Sequence, residues 1–163
     1  MAAEITARRA DSCSLELSIR GPIVEGDGER VAFELQSTVS MCRSGYSTKH
    51  VLLDSPGGSV QEALTMGRAM RRHRASVCVL EDAQCASSCV LVFVGGISRC
   101  AVKKLGVHRP YFEDARGLDS RDIETSWRQM DSAIRQYLQQ MNVSSALAEM
   151  MTTTRPEAII IGG

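Results

Sequence analysis

The sequence predicts a single α/β domain in which a parallel sheet is covered by helices. Three observations carry this expectation. Short apolar runs and amphipathic stretches alternate along the chain with short joins, the pattern of a parallel sheet with helical crossovers. The 163 residues suit one domain with its own core. No internal repeat, low-complexity tract or linker divides residues 1–163.

The elements follow in order. "CSLELSIRGPI" alternates apolar and polar residues with period two, which predicts a strand at about 13–20. "RGPIVEGDG" is a turn-rich loop. "GERVAFELQSTVSMC" spaces Val31, Leu35 and Val39 four apart, as on one helix face. "RSGYSTK" breaks that helix, and "HVLLD" is the next strand. "LDSPGGSVQEAL" then turns through two glycines into a helix, where Ser59 and Glu62 have the spacing of a capping box. Val60, Ala63, Leu64 and Gly67 form its apolar stripe. Arg68, Arg71, Arg72, His73 and Arg74 load its carboxyl end, where the helix dipole favours cations, and read as a solvated helix end. "ASVCVL" is unbroken and apolar, as expected of a buried parallel strand.

"EDAQCASSCVLVFVGG" reads as a loop followed by a buried helix from near Ser87. "ISRCAVKKLGVHRP" holds two short strand-like pieces around Lys103-Lys104. A long helix spans about 119–141, with Ile123, Trp127, Met130, Ile134, Tyr137 or Leu138, and Met141 at steps of three and four, capped by Asp119 or Ser120. Its Trp and Met stripe reads as a packing face. "SSALAEMM" is a last short helix before "TTTRPEAIIIGG".

Composition narrows the function classes. Nineteen basic and nineteen acidic side chains cancel, so no basic field attracts nucleic acid or an anionic membrane. No apolar run approaches the roughly 20 residues of a transmembrane helix. The amino-terminal "MAAEITARRADSCS" lacks the apolar segment of a signal peptide. The six cysteines, Cys13, Cys42, Cys78, Cys85, Cys89 and Cys100, are even in number and can pair fully in an oxidising compartment. Buried free thiols are the alternative, and Cys78 inside "SVCVL" fits it. Zinc is the third option, weakened by the lack of a CxxC or a nearby His pair.

Two loops follow apolar strands, "DSPGGS" and "EDAQCASS", and sites in open α/β sheets gather beyond the carboxyl ends of strands. The two loops are therefore expected side by side, one offering glycine amides and the other a serine at a helix start. Acyl transfer needs that combination, a nucleophilic hydroxyl with amides where the oxyanion forms. The amide of Ser88 is free to donate because first-turn amides lack internal partners. The plain alternative is that Ser87 or Ser88 is a helix cap. Of the three histidines, His108 ends an apolar strand just before Pro110, whereas His73 sits in a basic helix end and His50 precedes a strand. His108 is the candidate base; the alternative is a surface histidine at a strand end.

"LDSPGGSV", "CASSCVLVF" and "GVHRP", in that order, resemble the proteolytic subunit of the Clp protease, its wider Clp and crotonase fold, and especially its predicted exported relatives. The resemblance runs from about residue 15 to 141. It implies repeated β-β-α units with a mostly parallel sheet, an oxyanion hole from the amides of Gly57 and Ser88, Ser87 as nucleophile and His108 as base. The separation of Ser87 from His108 is shorter than in the Clp subunit, and the family's third residue, an acid, has no clean match. Aligning "RPEA" with the family's Pro-Glu-Ala places Met150 there, with Glu149 adjacent, Glu157 following, and Asp114 in the loop after His108. A Ser-His dyad without the acid is the remaining option. The family fold continues beyond the point where "IIIGG" ends.

The expected function is a serine peptidase-like hydrolase acting on a peptide or protein, with no cofactor and no metal. The lack of a Walker motif makes any unfolding ATPase a separate partner. The alternatives are a catalytically inactive oligomeric interaction module of the same fold, and a crotonase-type acyl-CoA enzyme, which needs the paired amides but not Ser87 and His108. The resemblance further implies a homo-oligomer, to which helix 119–141 could contribute. Cysteine count and exported relatives together point to the periplasm or exterior.

Overall fold

The structure is a computed structural model that describes residues 2–43, 45–102, 105–108 and 119–154. Strands β1 (Glu4–Asp11) and β2 (Ser14–Arg20) form an antiparallel hairpin. To its β2 edge, β3 (Thr48–Asp54), β4 (Ser76–Val79) and β5 (Ser98–Ala101) add in parallel, so the sheet order is β1-β2-β3-β4-β5. The helices are α1 (Asp27–Met41), α2 (Val60–Arg72), α3 (Cys89–Gly95), α4 (Ser120–Gln140) and α5 (Ala146–Thr153). The expected α/β class and mostly parallel sheet are therefore present.

The units repeat. β2 leads through Ile23 into α1, β3 through Ser55–Gly58 into α2, and β4 through Cys85-Ala86 into α3. These short linking pieces pair with one another in parallel, Ile23 with Gly58, Ser55 with Cys85, and Ala86 with Gly106. They make a second, smaller ladder beyond the carboxyl ends of the parallel strands, and the candidate site lies there.

Buried positions alternate along the strands: Leu15, Leu17 and Ile19 in β2, Val51 and Leu53 in β3, Val77 and Val79 in β4. The apolar core thus lies on one face of the sheet, where α1, α2 and α3 pack against one another in turn. The strand expected at "ASVCVL" is β4, parallel to both neighbours, with Val77 and Val79 buried and Ser76 and Cys78 half-buried on the other face.

Local departures have simple causes. In α1, Val31 and Leu35 are buried but Val39 is 42% exposed, and Thr38 is buried instead. Four-residue steps drift about 40° each around a helix of 3.6 residues per turn, so the second step, to Val39, leaves the face. In α4, Ile134, Tyr137 and Leu138 are buried, whereas Ile123, Trp127 and Met130 are half-buried. The Tyr137 hydroxyl donates to the Leu91 carbonyl at 2.6 Å and ties α4 to α3. Asp119 is the cap of α4, accepting from the Arg121 amide.

The helix-end charges do more than complement a dipole. Ser59 Oγ accepts from the Glu62 amide, half of the expected capping box, but the Glu62 carboxylate accepts from the Gly28 amide at 2.7 Å and so caps α1 instead. The Arg71 guanidinium, read from sequence as part of a solvated end, donates to the carbonyls of Val94, Gly95, Gly96 and Met141. It closes the carboxyl ends of α3 and α4 together.

All six cysteines pair, as Cys13–Cys42, Cys78–Cys100 and Cys85–Cys89. Cys78 is therefore not a free buried thiol; it is bonded to its registered neighbour across the β4–β5 ladder. No group of His, Cys, Asp and Glu among the described residues could hold a metal ion. The pairings suit an oxidising compartment. Among the described residues no helix is long and apolar enough to cross a membrane.

Candidate active site

The site begins where β3 ends. Asp54 accepts from the Gln84 amide at 3.0 Å, and the Ser55 amide donates to the Gln84 carbonyl at 2.8 Å. The Ala86 amide returns a bond to the Ser55 carbonyl at 3.1 Å. The "DSPGGS" and "EDAQCASS" loops are thus joined backbone to backbone, side by side as their positions after neighbouring strands require.

The two glycines have steric reasons that the sequence does not show. Gly57 stands at φ 98°, and a Cβ there would lie 2.7 Å from the Ala86 carbonyl oxygen, 2.7 Å from Ser87 Cβ and 3.0 Å from the Ser88 nitrogen. Gly58 stands at φ 143°, and a Cβ there would lie 2.1 Å from the Ile23 carbonyl oxygen. One glycine admits the serine turn and the other admits the linking segment at Ile23. Their need for small size is met by the protein's own backbone, before any substrate is considered.

Ser87 is held in the left-handed region at φ 57°, one of three such non-glycine residues among those described. That conformation costs about 1–3 kcal/mol outside glycine and persists only where surrounding contacts enforce it. The contacts are visible: the Ser87 amide donates to the Gly106 carbonyl at 2.7 Å, and the Gly106 amide donates to the Cys85 carbonyl at 2.9 Å. The Cys89 amide closes the turn onto the Ala86 carbonyl at 3.1 Å. Immediately after it comes α3, whose seven residues are all buried.

Neither serine is a side-chain cap. Ser88, at the cap position, makes no side-chain bond to the helix; its hydroxyl donates to the Gly58 carbonyl at 3.1 Å. Ser87 is buried, at 8% exposure. His108 lies two residues beyond Gly106, half-buried, so the backbone pairing brings its segment alongside the serine turn.

The amides divide. That of Gly57 donates to Ser55 Oγ at 3.1 Å. Ser55 is fully buried, and its hydroxyl is a member of the site that nothing in the sequence singles out. The bridge to Ile23 uses the Gly57 carbonyl and the Ser59 amide. The amides of Gly58 and Ser88 have no hydrogen-bond partner among the described residues.

Of the acid candidates, Asp114 and Glu157 lie outside the described residues. Glu149 is exposed on α5; the Arg135 cation is favoured first by its hydrogen bond to Asp131 and the charge of Asp131, and last by the charge of Glu149. The other histidines stand apart: His50 is exposed within β3, and His73 caps α2. The Cys85–Cys89 disulfide brackets Ser87. The four-residue spacing of these cysteines was visible in the sequence, but it fits a bonded pair, free thiols and a metal site alike.

No curated protein matches the chain. The Clp protease family model matches residues 40–158, from before β3 to beyond α5. That stretch takes in the glycine turn, the serine turn and His108, and it is most of the chain: the protein belongs to the Clp protease family.

Proposed function

We propose that this protein is a serine hydrolase acting on peptide bonds, with Ser87 as nucleophile and His108 as general base. The observation that carries the reading is the backbone of Ser87, left-handed and buried at a bridge-to-helix turn beside the glycine turn. A serine serving only as a cap has no use for that strain. Ser87 Oγ attacks the substrate carbonyl carbon while its proton passes to His108, which then gives it to the departing amine. Water repeats the sequence to release the acyl group.

The developing oxyanion accepts from the Ser88 amide and from the glycine turn. Within that turn the Gly58 amide is the available donor, since the Gly57 amide would first have to leave Ser55 Oγ. The reading holds with or without a third carboxylate, which mainly orients the histidine. Family membership supports a homo-oligomer, and three disulfides support a periplasmic or secreted setting.

A fluorophosphonate probe tests the proposal. Folded wild-type protein is expected to be labelled, Ser87→Ala to lose all labelling, and Ser88→Ala to keep it. Silence of the folded wild type across about pH 6–9 refutes the hydrolase reading, because a serine paired with a histidine base would react in that range. Stabilisation by an acyl-CoA in such a silent protein would favour the crotonase-type alternative.

A further inference from the structure

Cys85 and Cys89 are bonded across four residue steps, and Ser87 lies midway between them. Cys85 sits in the extended bridge to Ser55, and Cys89 is the first residue of α3. Four steps of extended chain would carry their Cα atoms roughly 13 Å apart. Here they are 5.3 Å apart, and the left-handed Ser87 is the residue that folds the chain back.

A disulfide requires Cα atoms within about 7 Å. The bond and an opened form of the turn therefore exclude each other. The Ser87–Gly106 hydrogen bond, at 2.7 Å, decides among the closed forms that remain. Both cysteines are buried, at 1% and 0% exposure, so the bond is shielded from a reductant in solution. The other two disulfides lie elsewhere. Cys13–Cys42 ties the β1–β2 turn to the end of α1, and Cys78–Cys100 joins β4 to β5.

We propose that the Cys85–Cys89 disulfide positions Ser87, holding its hydroxyl in the attacking geometry by barring the opened turn. This rests on Ser87 being the nucleophile. The two cysteines are positioning residues, and both belong to the buried core.

The test compares the wild type with Cys85→Ala/Cys89→Ala and with two controls, Cys13→Ala/Cys42→Ala and Cys78→Ala/Cys100→Ala, each shown to be folded by circular dichroism. The readout is fluorophosphonate labelling, resolved into a maximal rate and a half-saturating concentration. In that reaction Ser87 Oγ bonds to phosphorus, the P–F bond breaks, fluoride leaves, and the hydroxyl proton passes to His108.

Loss of the clamp is expected to lower the maximal rate by about tenfold or more, equivalent to about 1.4 kcal/mol of barrier, with the half-saturating concentration within about twofold. The controls are expected to lose thermal stability while keeping the rate within about twofold. Equal labelling of the wild type and the clamp variant overturns the proposal and leaves Ser87 standing as nucleophile. An equal loss in all three variants also overturns it, as general loosening. Silence in every protein, wild type included, overturns both readings together. Cys85→Val/Cys89→Val, which refills the buried volume, is held to the same outcomes should the alanine pair fail to fold.

Discussion

Gly57→Ala is the substitution for which the structure predicts the most. Its backbone sits at φ 98°, which a residue with a Cβ adopts only at a cost of about 1–3 kcal/mol. The added methyl also meets the Ala86 carbonyl oxygen and Ser87 Cβ at 2.7 Å, and the Ser88 nitrogen at 3.0 Å. These are main-chain atoms and a Cβ, with no flexible side-chain end to swing aside. Overpacking of this kind costs typically about 1–3 kcal/mol. The two effects together reach about 2–6 kcal/mol, a large part of the roughly 5–15 kcal/mol that holds a domain folded.

Gly26→Ala separates the two terms. Gly26 stands at φ 89°, yet a Cβ there meets nothing within 4 Å, so it carries the conformational cost alone. Urea unfolding of the three proteins at a common m-value gives both losses. Gly57→Ala is expected to be less stable than Gly26→Ala by about 1–3 kcal/mol, the contact contribution. At about 2–4 °C per kcal/mol this is a further fall of roughly 2–12 °C in Tm. Relief of the clash by movement of the serine turn would also slow labelling of Ser87, which Gly26→Ala should leave unchanged. A Gly57→Ala protein as stable as Gly26→Ala would refute the close approach on which the site is built.

Two further outcomes follow from the packing. Arg71→Ala should destabilise by about 2–3 kcal/mol in urea unfolding, because carbonyls of Val94, Gly95, Gly96 and Met141 lose a charged donor. Arg71→Lys should recover only part of this, since a single ammonium cannot span the four; full recovery would show that charge alone matters. Burial, with Lys49 and Arg72 close by, holds His73 below the usual histidine range. The unfolded chain then binds the proton more readily than the native one. Stability is complete above about pH 6.5 and falls as pH drops through the folded value. His73→Gln should flatten that fall in urea midpoints measured from about pH 7.5 to 5, and an unchanged slope would contradict the assignment.

Much of this protein is legible along the chain because the relevant physics is local. Alternation in "SLELSIR" marks β2, the stripe of Ala63, Leu64 and Gly67 marks α2, and Ser59 marks where that helix starts. The order of "DSPGGS", "CASS" and "GVHRP" was enough to expect two loops meeting at one site. β1 escaped because an edge strand needs only backbone pairing, and "EITARRAD" has little apolar alternation to show. Val39 departs from the buried face because spacing by fours drifts around a helix.

Other features exist only between segments. Whether Cys85 bonds to Cys89 depends on the turn that brings them to 5.3 Å, and spacing alone does not specify that turn. The left-handed Ser87 depends on Gly106, nineteen residues away. The engagement of the Gly57 amide depends on the Ser55 hydroxyl. Two adjacent glycines announce in the sequence that something passes close. Only the tertiary structure identifies what passes, the serine turn at Gly57 and the linking segment of Ile23 at Gly58, because a steric requirement belongs to both surfaces in contact and the chain records one of them at a time.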